Sequence, residues 1–272
     1  MPTSDELLRD PLLKIERARH HINNLQSRVE SFLANKPFVL MEKHRRRAGE
    51  TDYYVEVRER IPTELPLIIG DAVHNLRGAL DVTLFAMVGD IEPRIYFPFP
   101  RGERPTPEDI EQSIKKAHAK AAGPKVVGTI KSLEPYIFGK GIALSCVHQL
   151  DVQDKHRLLI LAGHRAAILV GTGQENFLPN ALIQATPTTR RVIVLDAPEG
   201  AVALQIRRAY ATRHLPDPVN EVRPQPDFAI TFGDNELLAG TPVVETLDDM
   251  ASKTEDAVRG LADAFLDPSN ST

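Results

Sequence analysis

The segment 70–81, GDAVHNLRGALD, constrains this chain more than any other. Ala72, Val73, Leu76, Ala79 and Leu80 have the spacing of a helix face that seeks a core. Asp71, His74, Asn75, Arg77 and Asp81 are interleaved with them, and the stretch then runs into VTLFAMV, which has no polar face. A helix that carries ionisable groups into an apolar interior must supply them with partners. Breaking a buried charge pair costs about 3–5 kcal/mol.

At 100° per residue, His74, Arg77 and Asp81 fall inside a sector of about 60°. Gly78 borders that sector and leaves room for another backbone or a ligand. Asn75 points elsewhere. Leu84 and Phe85, one turn on, bracket the same face, so the polar stripe is expected to be at least half covered. Arg77 and Asp81 are four apart and can satisfy each other, which leaves His74 in need of a distant partner.

A second polar concentration, HQLDVQDKHR at 148–157, is also set between apolar runs. The simplest solution pairs the two segments. Arg77 is then a partner for Asp151 or Asp154, and Asp81 for Lys155 or Arg157.

These two segments resemble those of a group of bacterial proteins without an assigned activity, which carry an HNLRxALDH-like helix and a downstream DKHR-like segment. The resemblance covers roughly residues 10–160. It departs at one place: Val82 stands where the group has His. An Arg followed at short spacing by His on one helix is also similar to the HEPN ribonucleases, in which those residues handle the scissile phosphate and the 2′-hydroxyl. Val82 breaks that pattern for Arg77. The other matches are Arg157 with His164, and Arg207 or Arg208 with His214.

Two classes of function follow. In the first the protein is a hydrolase whose pocket lies between the two segments. His74 is the acid or base and Arg77 the anion clamp; Asp151 or Asp154 orients the imidazole, and Asp81 and His156 complete the cluster. Asn75, Lys155 and Arg157 are then the substrate-binding side chains, and the substrate is a small molecule. In the second class the same residues form a structural ion-pair network in a non-catalytic binding or assembly protein. No cofactor is predicted. A divalent metal on His74, Asp81, His148, Asp151 and His156 is the alternative, although no HExxH-like spacing supports it.

Composition narrows the field. Hydrophobic residues make up 42% of the 272 and charged residues 26%, an ordinary globular balance. A net charge of −4 and a pI near 6.2 disfavour a dedicated nucleic-acid partner. Cys146 is the single cysteine, so an intrachain disulfide and a Cys-rich zinc site are both excluded. The start, MPTSDELLRD, lacks the basic and apolar regions of a signal peptide, and no apolar run approaches a membrane span. The expectation is a soluble cytoplasmic protein without a membrane partner. The exposed face of the first helix is compatible with a homo-oligomer.

The remaining pattern predicts an α+β fold. A first amphipathic helix is expected from Pro11 to about Asn35, then a β-hairpin within 38–60 turning at RAGE, and the charged helix over 64–88. Thr106 and Pro107 should open a helix running to about Ala121, followed by one ending near Pro135 and another over 142–162. Five β-rich runs then predict a small antiparallel sheet, with a final strand from LLAGTPVV and a closing helix over 244–266. Two regions are expected, a mainly helical 1–163 containing the hairpin and a β-rich 164–272. The closing helix could return to the first and make one continuous domain.

Overall fold

The structure, a computed structural model, describes residues 3–45, 50–89, 95–157, 162–170, 181–185, 191–195, 202–207, 225–233, 238 and 240–271. In most of the strands and at the last two residues of the helix ending at 157 it describes the backbone alone. The fold is α+β. Among the described residues there are six α-helices, α1 (Ser4–Ala34), α2 (Glu64–Val88), α3 (Pro107–Lys116), α4 (Pro124–Leu133), α5 (Ile142–Arg157) and α6 (Val243–Leu266). The strands are β1 (Phe38–Arg45), β2 (Glu50–Val57), β3 (Ala162–Val170), β4 (Ala181–Ala185), β5 (Arg191–Leu195), β6 (Val202–Arg207) and β7 (Gln225–Phe232).

Several boundaries differ from expectation for identifiable reasons. Helix α1 starts at Ser4, ahead of Pro11, because Thr3 and Glu6 form a capping box. The Glu6 amide donates to Thr3 Oγ1 at 3.3 Å, and the Thr3 amide donates to Glu6 Oε2 at 2.9 Å. Burial of Leu7 and Leu8 holds that first stretch down, and Pro11 lies inside the helix at the cost of one ladder bond. Helix α3 has the Thr106 cap, with Thr106 Oγ1 accepting from the Asp109 amide at 3.2 Å, but it ends at Lys116 rather than near Ala121. His118 takes a left-handed conformation (φ 55°) and redirects the chain into a 3-10 turn over Ala119–Ala122. That turn buries Ala119 and Ala122. Helix α5 is described over Ile142–Arg157, and Ala162, expected at its end, instead opens β3.

Two compact units are built from interleaved segments. One comprises residues 1–27, 63–160 and 244–272; the other comprises 28–62 and 161–243. The hairpin therefore groups with the later strands, and the closing helix groups with the early helices.

The second unit contains two antiparallel sheets, in the orders β1-β2-β6 and β4-β5-β3-β7. The hairpin pairs Phe38 with Val57, and β2 meets β6 with a register shift between Tyr53 and Tyr54. All five predicted β-rich runs are strands. Among the described residues, LLAGTPVV contributes a single bridge, Thr231 to Pro242, rather than a ladder. Phe38 sits 5.9 Å from Phe32 and 5.6 Å from Phe228, and Ile230 and Phe232 are buried.

The first unit is helical, with α2 along its core. Leu76, Ala79, Leu80 and Leu84 have no exposed surface, and with Ile15, Phe97, Ile114, Val126, Val258 and Leu261 they belong to the buried set. The Lys14 stem lies over Gly78, where a Cβ would be 3.7 Å from Lys14 Cδ and Cε. Gly70 admits the Asp154 carboxylate of α5 so closely that a Cβ there would meet it at 2.7 Å. This approach brings the two charged segments of the sequence onto adjoining helices.

Candidate functional site

The polar stripe of α2 divides in two. Its C-terminal half, Arg77 and Asp81, closes on itself. Arg77 Nη1 lies 2.6 Å from Asp81 Oδ1 as an i, i+4 ion pair. The Pro-rich stretch after α2 caps both groups: the Phe97 amide donates to Asp81 Oδ1 at 2.7 Å, and Arg77 Nη2 donates to the Phe97 carbonyl at 3.3 Å. The guanidinium carbon also sits 4.7 Å from the Phe99 ring centroid. Burial lowers the Arg77 pKa and raises that of Asp81, each shift opposed by the partner's charge. Arg77 is 7% exposed.

Among the described side chains, Arg77 pairs with Asp81 rather than with Asp151 or Asp154, which corrects that expectation. Asp81 pairs with Arg77 rather than with Lys155; the Arg157 side chain lies outside them. The pairing within α2 wins because its two ends are already one turn apart. The Phe97 backbone then adds one hydrogen bond to each member of the pair. The guanidinium is thus turned inward, with Nη2 on the Phe97 carbonyl and the buried Nη1 in the ion pair with Asp81 but without a hydrogen-bond partner.

The N-terminal half of the stripe behaves differently. His74 Nδ1 lies 3.0 Å from Asp151 Oδ1 on α5. A carboxylate only accepts, so the proton of this bond belongs to Nδ1, and in the neutral ring Nε2 carries the lone pair. Lys155 donates to the other oxygen, Asp151 Oδ2, at 2.6 Å. Exposure is uneven: the Asp151 side chain is 4% exposed and the His74 side chain 60%. The imidazole stands at the surface with its rear nitrogen fixed by a buried carboxylate.

Around this pair lie Asp154, which approaches Gly70, and Asp71, one turn before His74 on α2. Burial raises the Asp154 pKa first, and the negative charges of Asp151 and Asp71 add to that. Asn75 Nδ2 donates to the Asp71 carbonyl at 2.8 Å, a bond within its own helix. His156 and Arg157 occupy the end of α5, with side chains outside the described ones. Phe85, expected to help cover the stripe, is exposed, whereas Leu84 is buried.

One group with a perturbed environment entered the sequence analysis only as a candidate metal ligand. His148, one turn before Asp151, stacks on Phe99 with ring centroids 4.4 Å apart and planes inclined by 8°. Its Nδ1 is buried without a hydrogen-bond partner. Burial, and then the nearby Arg77 charge, push its pKa down to about 4. Its position three residues from Asp151 on the apolar side of α5 was visible in the sequence. The aromatic lid that buries it was not.

Among the described residues no group of three or more His, Cys, Asp or Glu side chains is placed to hold a metal. Cys146 is buried, and burial pushes its thiol up to about 11, so it is core rather than nucleophile. Arg157 ends a helix while His164 lies in β3, so that Arg–His spacing does not share one helix. His214 and Arg208 are outside the described residues.

Compared with known proteins, the chain matches no family model, no curated protein and no solved structure. Among the described residues no helix is long and apolar enough to cross a membrane.

Proposed function

We propose that the protein is a hydrolase of small-molecule substrates that uses His74 as its general base. The single observation that supports this most is the pairing of an exposed imidazole with a buried carboxylate, His74 Nδ1 to Asp151 Oδ1 at 3.0 Å. The carboxylate fixes ring orientation and tautomer and leaves the Nε2 lone pair free to accept a proton.

The step is a water attack. Water oxygen adds to the substrate carbonyl carbon as Nε2 takes one of its protons. The tetrahedral intermediate then expels the alcohol or amine, which receives that proton from the imidazolium. Asp151 stabilises the imidazolium, and Lys155 holds the second oxygen of that carboxylate in place. Such proton transfer is worth about 10²–10⁴-fold. The resemblance of the two segments to bacterial sequences and the use of a single cysteine support a bacterial, cytoplasmic setting for this activity.

A second reading, a non-catalytic protein whose charges only join helices, is favoured by the closed Arg77–Asp81–Phe97 arrangement. The two readings are compatible for different halves of the stripe. The test is hydrolysis of 4-nitrophenyl acetate, an acyl anilide and RNA by the wild-type chain and by His74→Gln. Loss of about 10²–10⁴-fold at unchanged Tm is expected on a substrate the wild type cleaves. Equal rates for both proteins on every substrate would overturn the proposal.

A further inference from the structure

We infer that His148 is a second working imidazole of this site, a neutral Nε2–H donor that holds the carbonyl oxygen of the substrate attacked from His74. The inference rests on the general-base reading of His74 and adds to it the group that receives the developing negative charge.

The geometry around the His148 ring supplies the argument. Nδ1 is sealed and unpartnered. An orphaned N–H in such a position is rarer in folded proteins than an orphaned acceptor, so the ring proton resides on Nε2. The ring cannot swing to relieve Nδ1, because it lies flat on Phe99 at 4.4 Å. Phe99 is in turn held against Arg77, two residues beyond the Phe97 backbone that the Arg77–Asp81 pair clamps. The closed half of the polar stripe thus acquires a use: it fixes the surface on which His148 rests.

Position along the helices completes the case. His148 and Asp151 are three residues apart on α5, and His74 and Arg77 are three apart on α2. Asp151 meets His74, and His148 shares Phe99 with Arg77. The two imidazoles therefore occupy successive turns of one helix-helix seam, about 5 Å apart in rise. One turn along the seam is the offset we assign to a base that activates water and a donor that receives the carbonyl oxygen.

The charges that face His148 are Arg77 from α2 and Asp151 and Lys155 from its own helix. Burial first, and then two cations against one carboxylate, keep it uncharged near neutral pH. A neutral donor adds no net charge to the resting site, and its hydrogen bond strengthens as the oxygen becomes anionic. This favours a carbonyl substrate, an ester or amide, over a phosphodiester already surrounded by Asp71, Asp151 and Asp154.

The experiment is ¹⁵N-histidine NMR on the full chain at pH 7, with N-methylacetamide as the neutral carbonyl probe. The expected result is a neutral His148 protonated on Nε2, whose Nε2–H resonance shifts on adding the probe both in wild type and in His74→Gln. A proton on Nδ1, an imidazolium, or a resonance unmoved by the probe overturns the assignment. The activity arm compares His148→Phe, which keeps the stack, with His148→Gln, which restores an amide donor. On an ester that the wild type cleaves, about 10²–10³-fold loss of kcat is expected for His148→Phe with substantial recovery in His148→Gln. Equal rates for His148→Phe and wild type overturn it as well. If the probe shifts the resonance while no substrate is cleaved, the failure belongs to the His74 reading and not to this one.

Discussion

Asp151 is 4% exposed, yet the His74 imidazole bound to it at 3.0 Å is 60% exposed. The pair spans the boundary between interior and solvent, and its two members should therefore respond differently to substitution. His74→Ala removes a mostly solvated ring and should cost under about 1 kcal/mol in urea denaturation. Asp151→Ala removes the acceptor shared by His74 and Lys155 from a buried position and should cost about 1–3 kcal/mol. Similar losses for both would show that the imidazole itself carries the packing.

The Arg77–Asp81 pair predicts the opposite symmetry. Arg77→Ala leaves Asp81 facing the Phe97 amide without its counter-charge, and Asp81→Ala leaves a buried guanidinium unpaired. Each should lose about 3–5 kcal/mol, with Asp81 at the lower end because it is one-third exposed. The double variant should lose well under the sum of the two. Chemical denaturation of the three variants decides it, and strict additivity would show that the two side chains act independently.

Acid should weaken the first unit through His148. Its folded pKa, about 4, lies below the unfolded value of 6.5, so the unfolded chain binds the proton more readily. The contribution of the neutral ring is complete above pH 6.5 and is lost as pH falls from there towards 4. Asp81 works against this trend. Burial raises its folded pKa, so its protonation at the acid end favours the folded state. Melting curves between pH 7 and 4 should therefore fall less steeply for His148→Phe than for wild type. A steeper fall for the variant would contradict the assignment.

The chain's last turn caps an earlier helix. Asn270 Oδ1 accepts from the Lys125 amide at 2.8 Å, at the start of α4, and Asn270 Nδ2 donates to the Ala122 carbonyl at 2.8 Å. Helix α4 has Gly123 at its N-cap position and no side chain of its own to cap with. Asn270→Ala should lower stability by about 1–2 kcal/mol, read as a drop in Tm. Gly123→Ala should cost at least as much. Its φ is +99°, and a Cβ there would collide with the Asn270 amide.

How much of this was legible beforehand depended on the distance between cause and effect along the chain. The bounds of α2, the Thr106 cap of α3 and the strands of the second unit follow from periodicity and end signals that lie within a few residues. The early start of α1 was equally local: the Thr3–Glu6 box is three residues long, and the expectation was drawn to Pro11 instead. The shortening of α3 was not local. It depends on Ala117, Ala119 and Ala122 finding buried positions, which no propensity within 107–121 announces.

The polar stripe shows the same division within one helix. Its existence, and the capacity of Arg77 and Asp81 to pair, are properties of residues three and four apart. Any chain with this spacing carries them wherever the helix lies, because helical geometry sets which side chains are neighbours. Which half stays wet was settled by segments from elsewhere. Phe97, 20 residues from Arg77, closes one half, and Asp151, 77 residues from His74, holds the other open at the surface. Several carboxylates and cations offered similar Coulombic attraction. The choice among them fell to desolvation, which depends on what packs over each group and so exists only once the chain has folded.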